Sequence, residues 1–107
     1  MGASVTYKIA GLSYRSRQIR DAFAEKSSST LVLLRRDPAN SHDPNAVAIY
    51  SALTMPGDND YNWHKVGYVE RHVSNNEFKN LPLDHVLEAR KYGPDSFQLT
   101  GKVRRYN

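Results

Sequence analysis

Apolar and polar residues alternate in several short segments of the chain, and this pattern predicts β-strands. In the first segment, spanning 5–10, Val5, Tyr7 and Ile9 alternate with Thr6, Lys8 and Ala10. The segment at 30–35 is continuously apolar at its centre, which predicts a strand buried on both faces or nearly so. Further strands are predicted at 46–50, 63–69, 85–90 and 96–104. The chain therefore has six short predicted strands.

Two short helices are predicted between these strands. The first spans 17–26, with Ser16 as its N-cap and one narrow apolar face. The second spans 75–81, because Ser74 and Glu77 have the spacing of a capping box. Two helices that are not placed as regular crossovers favour antiparallel pairing. The predicted fold is mainly β with two short helices, a six-stranded antiparallel β-barrel of OB or SH3 type.

Three connections have local features of their own. The polar loop at 37–45 is stiffened by Pro38 and Pro44 and joins two apolar segments, so it can present side chains in fixed positions. Residues 51–62 are predicted to form a long hairpin connection, because they contain a cluster of turn-forming residues. Gly67 interrupts a predicted strand, which indicates a bulge or the close approach of another backbone.

Length and composition favour one domain, spanning 1–107. The absence of cysteine favours an intracellular, cytoplasmic protein. No apolar run approaches the ~20 residues of a membrane-spanning helix, so no membrane association is expected.

The net charge of +4 is distributed unevenly. Residues 1–36 carry seven basic and two acidic side chains, whereas residues 37–107 carry eight basic and nine acidic ones. A localised positive region favours a polyanionic partner, and a solvated charged face is the alternative interpretation.

The polar loop and its neighbours supply the chemistry that a single-stranded nucleic acid needs, which is flat rings for stacking and cations for phosphates. The candidate binding residues are Tyr14, Arg15, Asn40, His42, Asp43, Tyr68 and Arg71. A purely structural interpretation stays open for Asp43, whose carboxylate can cap local N–H groups. For Asn45 we favour the structural interpretation, an Asx turn that sets the register of the next strand.

Motifs of catalysis and metal binding are absent from the sequence. Asp37, Asn40 and Asp43 lack the alternating ligands and central glycine of an EF-hand, and the four histidines lack zinc spacing. No nucleophile-elbow, P-loop or dinucleotide motif occurs. We therefore expect no enzymatic activity, no metal and no cofactor.

Three ordered motifs resemble the HIRAN domain. They are GLSY at 11–14, RDPANSHDPNAV at 36–47 and VGYV at 66–69. The resemblance covers roughly residues 5–80. It implies an OB-related six-stranded barrel that binds the 3′ end of single-stranded DNA. It also implies a setting in DNA repair, replication or a mobile element, and a helicase or nuclease as a protein partner.

The resemblance implies roles for individual residues. Asp43 would accept a hydrogen bond from the terminal 3′-hydroxyl, and Asn40 would hold a phosphate. Tyr14 and His42 would stack on the terminal base, and Tyr68 and Arg71 would lie near the phosphates.

The chain departs from the family pattern at three positions. Ser13 replaces an arginine, Arg15 replaces an aromatic residue, and His42 replaces a tyrosine. We expect Arg15 to supply the charge missing at Ser13. Two other functions remain as alternatives, a small protein–protein adaptor and, less favoured, a metal-dependent nuclease.

Overall fold

Six antiparallel strands close into a barrel in a computed structural model that describes residues 5–105, with side chains up to residue 100. The strands follow the order β1-β4-β3-β2-β5-β6 around the barrel. This confirms the predicted fold class and is consistent with an OB-like fold. The elements are β1 (Thr6–Ala10), a 3₁₀ helix (Leu12–Tyr14), α1 (Arg17–Ala24), β2 (Leu31–Arg36), β3 (Val47–Leu53), β4 (Asn62–Val69), α2 (Arg71–Asn76), β5 (His85–Tyr92) and β6 (Ser96–Arg105).

The inner face of the barrel carries the hydrophobic core. Along β2 the side chains of Val32 and Leu34 are fully buried, whereas Leu31 and Leu33 on the opposite face are only half-buried. The prediction of a strand buried on both faces or nearly so is therefore confirmed for the inner face only. A closed barrel has one inner face to fill, and in β2 the other face is left partly open to solvent.

Helix α1 packs Phe23 into this core. The predicted N-cap is confirmed, because the hydroxyl oxygen of Ser16 accepts a hydrogen bond from the Ile19 N–H at 3.3 Å. The helix ends at Ala24 rather than at residue 26. At its end, the buried ammonium group of Lys91 donates to the carbonyl oxygens of Phe23 and Lys26, so a side chain from β5 adds hydrogen bonds at the C-terminus of the helix.

Helix α2 begins directly after β4, and the prediction of a helix at 75–81 was wrong. Ser74 lies inside the helix, where its buried hydroxyl donates to the carbonyl oxygen of Arg71 at 3.0 Å. Val73 and Phe78 are both buried in the core, and their burial sets which residues of this segment turn inward. Arg71, rather than Asn75, is therefore the first helical residue.

The hairpin connection between β3 and β4 is shorter than predicted. Strand β3 continues to Leu53 and β4 begins at Asn62, so only residues 54–61 connect them. Ser51 and Leu53 point into the barrel and are fully buried. The prediction of a connection at 51–62 was wrong because the polar Ser51 concealed an inward-facing strand position.

Gly67 lies beside a bulge in β4, at a point where β1 passes close to the backbone. A Cβ atom at this position would lie 2.6 Å from the carbonyl oxygen of Ala10 and 2.6 Å from Cγ2 of Ile9. Tyr50 pairs with Lys65 and Ile49 with Gly67, which leaves Val66 as an extra residue in β4. Both features predicted for this glycine are confirmed.

Candidate nucleic-acid interface

The loop between β2 and β3 is held by its own polar groups. The Asp37 N–H donates to the Ala46 carbonyl oxygen at 2.9 Å and closes the loop. Oδ1 of Asn40 accepts from the N–H groups of His42, at 2.9 Å, and Asp43, at 3.0 Å. These contacts give the loop one conformation before any ligand binds, so its side chains are pre-positioned.

Asp43 supports the loop with one carboxylate oxygen. Its Oδ1 accepts a hydrogen bond from the N–H of Asn45 at 2.9 Å, so the Asx turn before β3 is made by Asp43. The structural interpretation of Asp43 is therefore confirmed, whereas the prediction that Asn45 makes the turn was wrong. Its second oxygen, Oδ2, faces Arg71 instead, with 3.7 Å between Oδ2 and Nε. One residue can thus shape the loop and still offer an acceptor.

Arg36 fixes the far end of the loop from inside the protein. Its buried guanidinium donates to the carbonyl oxygens of Asn45, at 2.6 Å, Leu81, at 2.9 Å, and Phe78. Three carbonyls from two separate segments share one planar donor group. The turns that follow α2 are therefore tied to the loop.

An open pocket of about 280 Å³ lies between the loop, the end of β4 and the start of α2. Five of the seven predicted site residues line this pocket, together with Ala10, Ala46 and Val69. The five are Asn40, His42, Asp43, Tyr68 and Arg71. They come from segments about 30 positions apart, so the fold brings together candidate residues that are distant in the sequence.

Arg71 connects the two sides of this pocket. Its Nη2 donates to the carbonyl oxygen of His42 at 3.0 Å, and its Nε faces the Asp43 carboxylate. The Arg71 side chain is 71% exposed and that of Asp43 only 15%. The cation is therefore accessible to a ligand, whereas the acid is reached only through the pocket.

Lys65, which was not among the predicted site residues, forms a triad with Asp37 and Tyr68. Its Nζ donates to Oδ2 of Asp37 at 2.8 Å and to the hydroxyl oxygen of Tyr68 at 2.9 Å. The Tyr68 hydroxyl in turn donates to the same Asp37 oxygen at 2.9 Å. The hydrogen bond from Lys65 is the main cause that lowers the pKa of Asp37, against the opposing effect of burial.

The same contacts keep Lys65 charged. Burial acts to lower the pKa of Lys65, but the hydrogen bonds to Asp37 and Tyr68 outweigh it and leave the pKa raised. The bulge at Val66 makes the triad possible. In a regular strand Lys65 and Tyr68 would face opposite sides, and the extra residue turns both outward.

Tyr14 and Arg15 are not among the residues that line the pocket. Tyr14 ends the 3₁₀ helix, and its side chain is 92% exposed. Nε of Arg15 donates to the carbonyl oxygen of Lys65 at 3.0 Å, so this cation lies against β4. Ser13 lines a neighbouring groove that also contains Arg20, and that groove does not include Arg15.

Two further observations concern the described part of the chain. Among residues 5–100 no group of three His, Asp or Glu side chains is arranged to hold a metal ion. No helix within the described residues is both long and apolar enough to span a bilayer.

A closed OB-like barrel with a polar, cation-containing pocket at a stiff loop is a fold and site suited to binding. A family model for the HIRAN domain matches residues 3–89 of the 107-residue chain, and the protein belongs to the HIRAN-domain family. The HIRAN domain is a DNA-binding domain associated with single-stranded DNA and 3′-end recognition, and it is not catalytic by itself. No curated protein and no solved structure matches the chain.

Proposed function

We propose that this protein is a non-catalytic module that binds the 3′-hydroxyl end of single-stranded DNA in the pocket beside the loop. The observation that supports this most directly is the convergence of an acid, an amide, a ring and a cation in one open pocket. Asp43, Asn40 and His42 come from the loop, and Arg71 comes from the start of α2. DNA repair, replication and mobile elements are settings in which free 3′ ends arise.

Asp43 would distinguish a 3′-hydroxyl end from a 3′-phosphate end. Oδ1 of Asp43 is already bonded to the Asn45 N–H, so Oδ2 is the oxygen left to accept a hydrogen bond from a 3′-hydroxyl. A 3′-phosphate would place negative charge against this carboxylate. Low exposure of Asp43 strengthens that repulsion, because charges that are partly shielded from water interact more strongly.

The phosphates and the base would be held by the other pocket residues. Oδ1 of Asn40 serves the loop backbone, which leaves its amide N–H groups as donors for a phosphate oxygen. The exposed guanidinium of Arg71 would contact the next phosphate. His42 would stack on the terminal base, and the exposed ring of Tyr14 would add a second stacking surface.

The test compares one fluorescently labelled oligonucleotide in three forms, with a 3′-hydroxyl, with a 3′-phosphate and as a closed circle. We expect the 3′-hydroxyl form to bind tightest. Asp43→Asn removes the negative charge and should reduce the preference over the 3′-phosphate form. Asp21→Asn, an exposed acid on α1, is the matched control and should keep that preference.

Equal affinity for the three forms would refute end recognition. Loss of DNA during incubation with Mg²⁺ or Mn²⁺ would refute the non-catalytic assignment.

A further inference from the structure

A second groove lies on the outer face of the barrel, away from the loop pocket. It has a volume of about 190 Å³ and is lined by Leu33, Arg35, Tyr50, Trp63 and Val86. Trp63 is 48% exposed, which is unusual for so large an apolar ring. We refer to this feature as the Trp63 groove.

Strand β4 runs from the Trp63 groove to the loop pocket, since Trp63 lies near its start and Tyr68 near its end. Tyr50, which lines the groove, is the strand partner of Lys65, and Lys65 is hydrogen-bonded to Tyr68 in the pocket. Lys65 and Tyr68 both face outward because of the bulge. Five positions separate Trp63 from Tyr68, a span on the order of 16 Å at the rise of a β-strand.

Cations follow the path between the pocket and the groove. Lys65 lies midway, the guanidinium of Arg15 contacts its carbonyl oxygen, and Arg35 lines the groove itself. Asp37 is the acid in the triad with Lys65, and it is held there by the ammonium group and the Tyr68 hydroxyl. Rings interleaved with cations are the arrangement that binds a single strand. A groove for an apolar protein segment would not need this charge.

We propose that the single strand whose 3′ end enters the loop pocket continues along the outer face of β4 and stacks a base on Trp63. This inference rests on the proposed function, and it extends the contact from one terminal nucleotide to about 4 nucleotides, at the lower end of the range for an OB-type barrel. Arg15, which does not line the pocket, would then lie beside the bound DNA strand.

Trp63 is the only tryptophan in the chain, so its fluorescence reports directly on the groove. A dinucleotide with a 3′-hydroxyl should bind the pocket and leave the fluorescence unchanged. An oligonucleotide of eight residues should quench it, with the quenching appearing between two and about five residues. A fluorescently labelled strand provides an independent measure of affinity for each length.

Variants separate stacking from general attraction. Trp63→Ala should weaken binding of the eight-residue strand by roughly 5- to 150-fold, the value of one stacked base, and leave dinucleotide binding unchanged. Trp63→Phe should retain most of the affinity. Tyr61→Ala is the matched control, since Tyr61 is an exposed ring that packs with Lys26 outside the groove, and it should change neither affinity.

The outcomes distinguish the groove from the pocket. If the dinucleotide binds but length adds neither affinity nor quenching, the Trp63 groove is not part of the DNA site, while end binding stands. Quenching by a circular strand that binds as tightly as the linear one would support the groove and remove end recognition. Unchanged fluorescence with bound DNA of every length would overturn the proposal and leave the groove to a protein partner.

Discussion

Nε of Arg71 lies 3.7 Å from Oδ2 of Asp43, so the exposed cation of the pocket and its shielded acid face each other in the free protein. The pair joins the first residue of α2 to the loop, and a second contact runs from Arg71 to the His42 carbonyl oxygen. An exposed ion pair adds little to folding stability. Its main consequence is for binding. A phosphate that pairs with Arg71 would weaken the attraction between Arg71 and Asp43, and the Asp43 carboxylate would then be available to the 3′-hydroxyl.

Arg71→Ala should weaken DNA binding about tenfold whatever the chemistry of the 3′ end, because it removes a charged phosphate contact. The slope of log affinity against log salt should fall by about 0.7. The free energy of unfolding should change by less than about 0.5 kcal/mol. Titrations of a labelled strand at several salt concentrations measure the first two quantities.

Arg17→Ala removes an exposed arginine on α1 and serves as the control, with an unchanged slope expected. In Arg71→Ala the Asp43 charge is left without its partner and repels the incoming phosphate. The double variant Arg71→Ala/Asp43→Asn should therefore bind a 3′-phosphate strand better than Arg71→Ala alone. Equal binding would show that the Asp43 charge does not repel the 3′-phosphate.

Arg36→Met should lower the free energy of unfolding by about 3 kcal/mol or more. The methionine fills the space but leaves the carbonyl oxygens of Asn45 and Leu81 without this donor, at about 1–3 kcal/mol for each buried group. The Phe78 carbonyl oxygen loses the Arg36 bond but keeps the hydrogen bond from the Leu81 N–H. Arg36→Lys should recover only part of this loss, since an ammonium group lacks the planar fork. Urea unfolding at neutral pH measures the differences.

Arg17→Met is the matched control, because its arginine is 86% exposed, and it should cost less than about 0.5 kcal/mol. A cost for Arg36→Met as small as that of the control would mean that the carbonyl oxygens of Asn45 and Leu81 find other donors and that the loop is not tied by this residue.

The alternation of apolar residues was sufficient to predict six strands and a barrel, because each strand buries one face. It failed where a polar residue faces inward, as at Ser51, or where a local motif competes with burial, as at Ser74. The capping-box spacing was present, but the burial of Val73 and Phe78 determined the helix that formed. Boundaries set by core packing cannot be deduced from local chemistry alone.

The motifs grouped Asn40, His42, Asp43, Tyr68 and Arg71, and the structure brings these five to one pocket. Sequence reasoning did not find Lys65 because its role depends on the bulge beside Gly67, which shifts the alternation of faces along β4 and puts Lys65 on the same face as Tyr68. The glycine indicated a bulge, but it did not indicate that Val66 would be the extra residue. Sequence reasoning also could not predict the position of Arg15, because its hydrogen-bond partner is a backbone carbonyl oxygen.

Gly67→Ala should destabilise the protein by at least about 2 kcal/mol, because the new Cβ atom would collide with the Ala10 carbonyl oxygen and with Ile9. Relief requires β1 to move away from β4, and both strands border the pocket. DNA affinity should therefore fall together with stability. Thermal unfolding and strand binding measured on the same sample test both parts.

Gly57→Ala separates collision from backbone strain. Gly57 has a φ of +93°, and a Cβ atom added there would have no neighbouring atom within 4 Å, so alanine costs only strain, about 1–2 kcal/mol. It should leave DNA binding unchanged. If Gly67→Ala cost no more than Gly57→Ala, the close approach of β1 at Gly67 would not be important for stability.

Tyr7 should make the protein less stable as the pH rises from 10 to 12. Its hydroxyl donates to the Glu77 carboxylate, and this hydrogen bond, with burial and the negative charge, raises the pKa of Tyr7 to about 12 from 10.0. Between these values the unfolded chain has released the proton while the folded protein keeps it. Unfolding then releases a proton, so higher pH favours the unfolded state.

Tyr7→Phe removes this titration, and Glu77→Gln removes the negative charge that raises the pKa. Both variants should lose less stability than the wild type between pH 10 and 12, as measured by urea unfolding at closely spaced pH values. Lys91 acts in the opposite direction, because burial lowers its pKa and stability rises with pH up to its ordinary value of 10.5. Lys91 is common to all three proteins, so the difference between the curves isolates Tyr7. Parallel curves would show that the Tyr7–Glu77 contact does not persist in solution.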